Sequence, residues 1–271
     1  MSTPVPVIPA GRRLRIAVHK FSSCDGCQLA FLNLGEDLLR LARQVDIVHF
    51  AEAGPMDPEA EVDVAFIEGS AAHPGDVPRL AGIRERSRFL VTIGACATAG
   101  GIQALRNAAD APAWLAAVYP SPAAIEELDD STAIAEHVRV DFQLWGCPVT
   151  GRQVLATLGS LLAGVHPADG GDKVCLECKR RQQVCVMVAG GLPCLGPVTR
   201  TGCGALCPAY GRDCYGCFGP SELPNTEALA RRFQGLGLVP EAVARHFAGI
   251  NNAAPAFQEA ACRARGEAGD D

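Results

Sequence analysis

The sequence lacks several features that define common functional classes. Its longest stretch without a charged residue, 182–199, contains two prolines and a Gly-Gly pair, which excludes a transmembrane helix there. It also lacks an excess of basic residues, because 24 Lys and Arg stand against 30 Asp and Glu, for a formal charge of −6. Nucleic acid is bound by neutralising its phosphates. We therefore expect neither a membrane span nor a nucleic-acid partner.

Motifs for catalysis on the chain itself are also missing. No GxGxxG or Walker pattern follows the first predicted strand, no Ser/His/Asp set is present, and the six histidines are dispersed. Arg12-Arg13 begins no twin-arginine export signal, since 14–20 contains charged residues where an apolar segment is required. We expect a cytoplasmic protein with no catalytic acid, base or nucleophile of its own.

Cysteine, by contrast, is abundant, with 13 residues among 271. This is too many for an ordinary cytosolic chain and too few for a small domain held by disulfides, so metal ligation is the expected explanation. Four lie in the first 150 residues, eight fall between 175 and 217, and Cys262 stands alone near the end, where we expect a non-ligand. This distribution predicts three tetrathiolate sites and one spare cysteine.

The hydrophobic pattern predicts an α/β fold with a doubly wound, flavodoxin-like parallel sheet. The predicted strands are 14–19, 45–50, 62–68, 89–93 and 138–144, and the predicted helices are 28–43, 77–86 and 153–162. From 190 to 220 the chain contains eight glycines and four prolines, which leaves little room for regular structure. The predicted domains are the flavodoxin-like domain 12–165, a loop-rich cluster domain 170–222, and a C-terminal helical segment and tail 223–271.

The four early cysteines each follow a predicted strand. Cys24 and Cys27 come after the first strand, while Cys96 and Cys147 lie in the loops after two later strands. In a doubly wound sheet the carboxyl ends of the strands line one crevice. Thiols that are distant in sequence are therefore expected to meet there.

Two kinds of metal site compete at this point. Structural zinc sites usually draw on two local Cys-x2-4-Cys pairs, whereas the first set has one pair and two distant single cysteines. A [4Fe-4S] cube offers one iron to each thiolate, so its ligands can come from separate loops. Iron–sulfur clusters are favoured, and a zinc-stabilised assembly scaffold without redox function is the alternative.

Three motifs carry a resemblance to a known family. Cys24-Asp25-Gly26-Cys27, Gly94-Ala95-Cys96-Ala97 and Gly146-Cys147-Pro148 occur in this order and are similar to those of the small subunits of [NiFe] hydrogenases. The resemblance implies that Cys24, Cys27, Cys96 and Cys147 hold a proximal [4Fe-4S] cluster. It also implies that this cluster receives electrons from the nickel–iron centre of a separate large subunit.

The later cysteines extend this resemblance. The segment Cys194-Leu195-Gly196-Pro197-Val198-Thr199, followed by Cys203, resembles the family's junction between its other two clusters. It implies a distal [4Fe-4S] cluster and a medial one. Their ligands would be Cys175, Cys178, Cys185 and Cys194 for the distal cluster, and Cys203, Cys207, Cys214 and Cys217 for the medial cluster.

Two departures from the periplasmic enzymes indicate a subgroup. Cys175 stands where those enzymes have histidine, and Cys207 adds a fourth thiolate where they have a three-iron cluster. Both departures resemble the cytoplasmic group 3 enzymes, nearest the delta subunits of NAD(P)-linked sulfhydrogenases. The implied function is an electron relay from the large subunit to a flavin/NAD(P) or ferredoxin-type partner, through flavin- and iron–sulfur-containing diaphorase-type subunits.

A quinone-linked redox subunit like the 20 kDa subunit of complex I is a second alternative. That family shares the fold but carries adjacent cysteines at its first motif and lacks the later cysteine block. The spacing Cys24-x2-Cys27 therefore disfavours it.

Overall fold

The computed structural model describes residues 4–5, 12–168 and 171–267. The chain divides into two compact units. The first consists of Met1–Leu144 and Pro148–Asp169, and the second of Trp145–Cys147 and Gly170–Asp271. The three-part division expected from the sequence stays a prediction.

The first unit is built on a five-stranded parallel sheet with the strand order β2-β1-β3-β4-β5. Its strands are β1 Leu14–Lys20, β2 Val45–Phe50, β3 Val62–Glu68, β4 Ser87–Ile93 and β5 Phe142–Leu144. The central strand β3 is buried along its whole length, as expected where helices cover both faces of a parallel sheet. The predicted α/β, flavodoxin-like sheet is confirmed.

The described residues of this unit form six α-helices: α1 Gly26–Leu32, α2 Glu36–Leu41, α3 Asp76–Glu85, α4 Gly94–Ala99, α5 Ala111–Val118 and α6 Gly151–Leu162. One apolar core packs Phe31 of α1 and Leu158 of α6 against Val18 and its neighbours on the sheet. A second core packs Leu80 and Ile83 of α3 against the opposite face. The helices thus cover both faces of the sheet.

One predicted helix and one predicted strand differ in extent from the sequence prediction. The predicted helix 28–43 is two helices, α1 and α2, because Gly35 adopts a positive φ of 59° between them. The predicted strand 138–144 is ordered as a strand only over Phe142–Leu144. The Asp141 carboxylate accepts the Leu90 N–H at 2.8 Å, so a side chain takes a backbone donor that a longer ladder would use.

The second unit consists of short helices, loops and a C-terminal helical group. Its helices are α7 Val174–Arg180, α8 Val186–Gly190, α9 Leu206–Ala209, α10 Thr226–Gly235, α11 Pro240–Phe247 and α12 Pro255–Arg265. Phe233, Phe247 and Phe257 of the last three helices form a core together with Leu195 and Val198 of the cysteine-rich loops. None of the helices described in either unit has the length and apolarity needed to cross a bilayer.

Candidate cluster-binding sites

The first pair of cysteines lies where β1 leads into α1. Cys24 is exposed in the loop, whereas Cys27 is buried in the first turn of the helix. Asp25 between them adopts a left-handed φ of 66° and accepts a hydrogen bond from Lys20 Nζ at 2.6 Å. The tight turn therefore begins the helix immediately after the strand and keeps both thiols at the carboxyl edge of the sheet.

A buried carboxylate supports Cys27 from the neighbouring strand. The backbone N–H of Cys27 donates to Glu68 Oε1 at 2.9 Å, and Glu68 is the last residue of β3. Burial raises the pKa of the Glu68 carboxyl, and the hydrogen bond from Cys27 opposes that shift. The sequence analysis missed Glu68. The available signal was an acidic residue at the end of a mostly apolar strand.

Cys96 occupies a helix rather than the predicted loop. It lies in the first turn of α4, which begins directly after β4. A Cβ on Gly101 would come within 2.7 Å of Cys96 Sγ and 2.8 Å of its backbone nitrogen. Only glycine fits at this position, because real Cβ atoms do not approach other atoms so closely and φ is +62°.

The strand order relates Cys96 to the first pair. Strands β1 and β4 both pair in parallel with β3, so they lie two strand spacings, about 10 Å, apart. Their carboxyl ends reach the same edge of the sheet, as the sequence analysis expected.

Cys147 belongs with the second unit, together with Trp145 and Gly146. The next residue, Pro148, belongs to the first unit and packs against Gly26, where a Cβ would lie 3.3 Å from Pro148 Cβ and 3.4 Å from Cys24 Sγ. The assignment of Cys147 to the first set stays a prediction.

Four cysteines of the second unit lie close together around α7 and Gly196. Cys175 and Cys178 are one turn apart on α7, and Cys185 caps the start of α8. A Cβ on Gly196 would lie 3.4 Å from Cys194 Sγ and 3.5 Å from Cys175 Sγ. The predicted distal residues are therefore neighbours.

The electrostatics of this group couple metal binding to the loss of thiol protons. Burial raises the pKa of the Cys175 thiol to about 11, with further contributions from negative charge on Cys194, Cys178 and Cys185. Four thiolates this close repel one another, whereas bound metal ions deprotonate coordinating thiols outright. The donor set therefore fits a metal cluster.

The remaining four cysteines form a second group in the same unit. Cys207 lies on α9 and Cys214 is buried. Burial raises the pKa of the Cys217 thiol to about 12, with contributions from Cys203, Cys147 and Cys207. The predicted medial residues are thus neighbours too.

A backbone hydrogen bond connects the two groups. The N–H of Cys214 donates to Cys194 Sγ at 3.2 Å. Such N–H···S bonds are among the features that set the potentials of iron–sulfur clusters. The division of the eight residues into distal and medial sets stays a prediction.

The described residues contain no group of three or more His, Cys, Asp or Glu side chains arranged as ligands of a single metal ion. Four thiolates on one zinc ion must all lie about 2.3 Å from it. Thiolates on separate iron atoms of a cube lie farther apart. The preference for clusters over mononuclear zinc stays a prediction.

A histidine pair is a further feature that the sequence analysis missed. His19 of β1 and His49 of β2 are both buried, with ring centroids 4.7 Å apart. Burial, followed by the neighbouring His49, lowers the pKa of His19 to about 3, and burial also lowers that of His49. The two histidines meet because β1 and β2 are paired. Spacing along the chain does not reveal that pairing.

Comparison with known proteins covers both units. The sequence matches the family described as NADH ubiquinone oxidoreductase, 20 Kd subunit, over residues 24–161. Sulfhydrogenase 2 subunit delta from Pyrococcus furiosus is 35% identical over 209 residues, which cover 77% of this chain and 87% of that protein.

Two solved structures are similar in fold. A chain in the crystal structure of an NAD+-reducing [NiFe]-hydrogenase in the H2-reduced state has a TM-score of 0.54 and 31% identity, covering 58% of this chain and 95% of its own length. An actinobacterial-type NiFe-hydrogenase from Ralstonia eutropha H16 has a TM-score of 0.57 over 97% of this chain and 93% of that one. Its 17% identity relates it by fold alone.

Proposed function

Because this chain belongs to the NADH ubiquinone oxidoreductase 20 Kd subunit family and, within it, to the small subunits of [NiFe] hydrogenases, we propose that it carries electrons from the nickel–iron centre of a large subunit to a flavin/NAD(P) or ferredoxin-type partner. The observation that carries the proposal is the gathering of eight cysteines into two neighbouring groups within the second unit. Because the chain has no catalytic motif of its own, the binding of electron-transfer clusters best explains these cysteines.

Three [4Fe-4S] clusters account for twelve of the 13 cysteines. We assign Cys24, Cys27, Cys96 and Cys147 to the proximal cluster, Cys175, Cys178, Cys185 and Cys194 to the distal cluster, and Cys203, Cys207, Cys214 and Cys217 to the medial cluster. When bound, such clusters exchange single electrons at potentials set by cluster type, charge, hydrogen bonding and exposure. Cys262 on α12 is left as the non-ligand.

The residues of the chain provide the environment for these groups. Burial of Cys194 and Cys214 keeps water from the sulfur atoms, and the Cys214 N–H donates to one of them. Gly196 and Gly101 leave the space beside the ligand sulfurs clear of side chains. Glu68 fixes the first turn of α1, and with it Cys27.

The large subunit is the partner that the family implies. Helix α5 supports an extensive contact, because none of its residues is buried. Its large apolar side chains Trp114 and Val118 are 57% and 70% exposed. Obligate interfaces bury such apolar surface. Diaphorase-type subunits and a cytoplasmic location, both predicted from the sequence, are part of the same proposal.

Metal analysis of the anaerobically purified complex tests the proposal. We expect about twelve irons and as much acid-labile sulfide per chain, since each of three cubes holds four. Zinc without sulfide would instead establish the scaffold alternative.

Activity provides the second half of this test. Cys96→Ser should abolish hydrogen-dependent dye reduction, because Cys96 is the single ligand supplied by α4. Cys262→Ser is the matched control and should keep wild-type iron content and activity. Retention of both properties in Cys96→Ser would remove Cys96 from the proximal set.

A further inference from the structure

The second unit has a groove of about 410 Å³ beside two of its proposed ligands. One wall is formed by residues 183–192 and the other by residues 208–211. Cys185 lies within the first wall and is exposed, and Cys207 immediately precedes the second. The groove therefore opens next to one thiol of the distal set and one of the medial set.

Exposed apolar side chains lie in the groove and next to it. Val184 lines the groove and is 73% exposed. Val188 and Tyr210 are neighbours of lining residues in the sequence and are 80% and 78% exposed. Grouped exposed apolar side chains mark interaction surfaces, and tyrosine is enriched in interfaces between proteins. This composition indicates a protein partner.

The rim of the groove is basic. Lys179 and Arg181 precede the first wall, Arg212 directly follows the second, and all three are exposed. Arg212 donates to Tyr215 Oη at 2.7 Å, which fixes the guanidinium beside the groove. Arg180 pairs with Asp172 at 2.6 Å, and Asp213 follows Arg212. Residues 172–192 and 208–213 together contain five basic and three acidic residues, whereas the whole chain carries −6. A local reversal of charge sign selects an acidic partner and steers its approach.

We propose that the groove surface docks an acidic one-electron carrier protein; this surface consists of Val184 in the groove wall and the exposed residues that flank the two walls, Lys179, Arg181, Val188, Tyr210 and Arg212. The proposal rests on the proposed function and specifies its partner. Oxidation of one H2 on the large subunit releases two protons and two electrons. Two oxidised carriers each accept one electron at the groove surface, so the exchange balances. The exposed Cys185 favours a redox protein over an anionic membrane, which would also match a basic and apolar surface.

The salt dependence of the wild-type complex is the first test. Hydrogen-dependent reduction of a plant-type [2Fe-2S] ferredoxin is measured at 10 and 150 mM salt, where the Debye length falls from about 30 to about 8 Å. The KM for ferredoxin should rise at least about tenfold, following the loss of electrostatic steering. Reduction of an uncharged dye, duroquinone, should not change. A ferredoxin KM that is independent of salt would overturn the proposal.

Charge reversal is the second test. The triple variant Lys179→Glu, Arg181→Glu and Arg212→Glu should raise the ferredoxin KM about tenfold or more at 10 mM salt and lower the KM for the basic carrier cytochrome c. Its duroquinone rate and iron content should match wild type. The control reverses three exposed arginines from intrahelical ion pairs, Arg40, Arg231 and Arg263, with the same change in net charge and no expected effect.

Several outcomes separate the explanations. Equal effects in both triple variants would reduce the result to net charge and overturn the proposal. If the groove variant loses iron, Val188→Glu is measured in its place and should also raise the ferredoxin KM. Its side chain is 80% exposed, so the substitution should leave the fold intact. Binding of anionic phospholipid vesicles through these residues, without ferredoxin binding, would also overturn it.

Failure of the proposed function is recognised independently. A wild-type complex that reduces no dye with hydrogen contradicts the electron relay. Ferredoxin binding is then measured directly by interferometry at 10 mM salt. Binding that the groove variant loses would sustain the docking surface, whereas absence of binding would overturn it.

Discussion

At the scale of single residues, glycines determine how closely the chain can surround the sulfurs of the proposed ligands. Gly101→Ala should destabilise the protein and lower its iron content, because the new Cβ would lie 2.7 Å from Cys96 Sγ at a φ of +62°. A left-handed φ alone costs an alanine about 1 to 2 kcal/mol, and forced packing adds about 1 to 3 kcal/mol. Thermal unfolding and iron analysis of the purified complex measure both effects.

Gly164→Ala is the matched control for this substitution. Its φ is +68°, yet nothing lies within 4 Å of the Cβ position. It should therefore show the conformational cost only and keep its iron. Equal iron loss in both variants would mean that backbone conformation, and not the space beside Cys96, is what glycine provides.

The proposed medial cluster can be tested through a single thiol. Cys207→Ala should convert [4Fe-4S] to [3Fe-4S], because Cys203, Cys214 and Cys217 still supply three ligands. Cluster type and ligation set the potential, so we expect a raised medial potential and slower delivery to low-potential acceptors. Electron paramagnetic resonance of the oxidised protein should show a new three-iron signal. An unchanged spectrum with all irons present would exclude Cys207 as a ligand.

The buried histidine pair predicts loss of stability in acid. Burial lowers the pKa of His19 to about 3, so the unfolded chain, with a pKa near 6.5, takes up protons first as pH falls. The contribution of His19 to the free energy of unfolding is complete above about pH 6.5. Below that pH it declines by up to about 1.4 kcal/mol per pH unit. Arg79 and Arg86, which face His19, add to this effect, while Asp57 opposes it at His49.

Substitution of His19 tests this pH dependence. The difference in melting temperature between pH 7.5 and 5.5 should be smaller in His19→Gln than in the wild-type complex. His137→Gln is the control, because that histidine lies outside the pair. A wild-type pH dependence in His19→Gln would assign the acid sensitivity to other groups.

At the scale of elements, strands were more predictable than the structures that connect them. The strands 45–50 and 62–68 match their predicted bounds, because apolar runs between turn residues identify buried strands. The break at Gly35 and the helix around Cys96 depend on local φ values and close contacts that periodicity does not encode. The Glu68 contact and the histidine pair arise from the strand order, which brings together residues separated by about 30 to 40 positions.

The short strand β5 depends on one buried ion pair. Asp141, whose side chain is fully buried, pairs with Arg84 at 2.6 Å and accepts the Leu90 N–H. Asp141→Ala leaves both donors without this acceptor. It should therefore lower the free energy of unfolding by about 2 to 3 kcal/mol and the melting temperature by about 5 to 10 °C. Asp37→Ala is the control, since its pair with Arg40 is exposed, and should cost at most about 0.5 kcal/mol. Similar losses would show that burial of the pair is not decisive.

At the scale of the whole molecule, we expect the two units to differ in their dependence on metal. The sheet of the first unit is held by apolar cores on both faces, in which Cys27 is the one cysteine. The core of the second unit includes Cys194 and Cys214, with Cys178 and Cys203 packed against it. Its C-terminal helices rest on the same loops, since Asn251 donates to the Gly216 carbonyl at 2.8 Å. We therefore expect metal binding and folding to be coupled in the second unit.

Removal of iron should consequently unfold the molecule in part. After anaerobic chelation, amide hydrogen exchange of residues 174–222 and of α10 to α12 should accelerate about 100-fold or more, because the loops lose their cross-links and the helices lose the surface beneath Phe233 and Phe257. Amides of β1, β3 and β4 should stay protected by their own apolar core. Mass spectrometry of exchanged peptides measures both regions in one sample. Equal acceleration in both units would show that the sheet also requires its cluster, and unchanged exchange in 174–222 would show that the glycine- and proline-rich loops fold without metal.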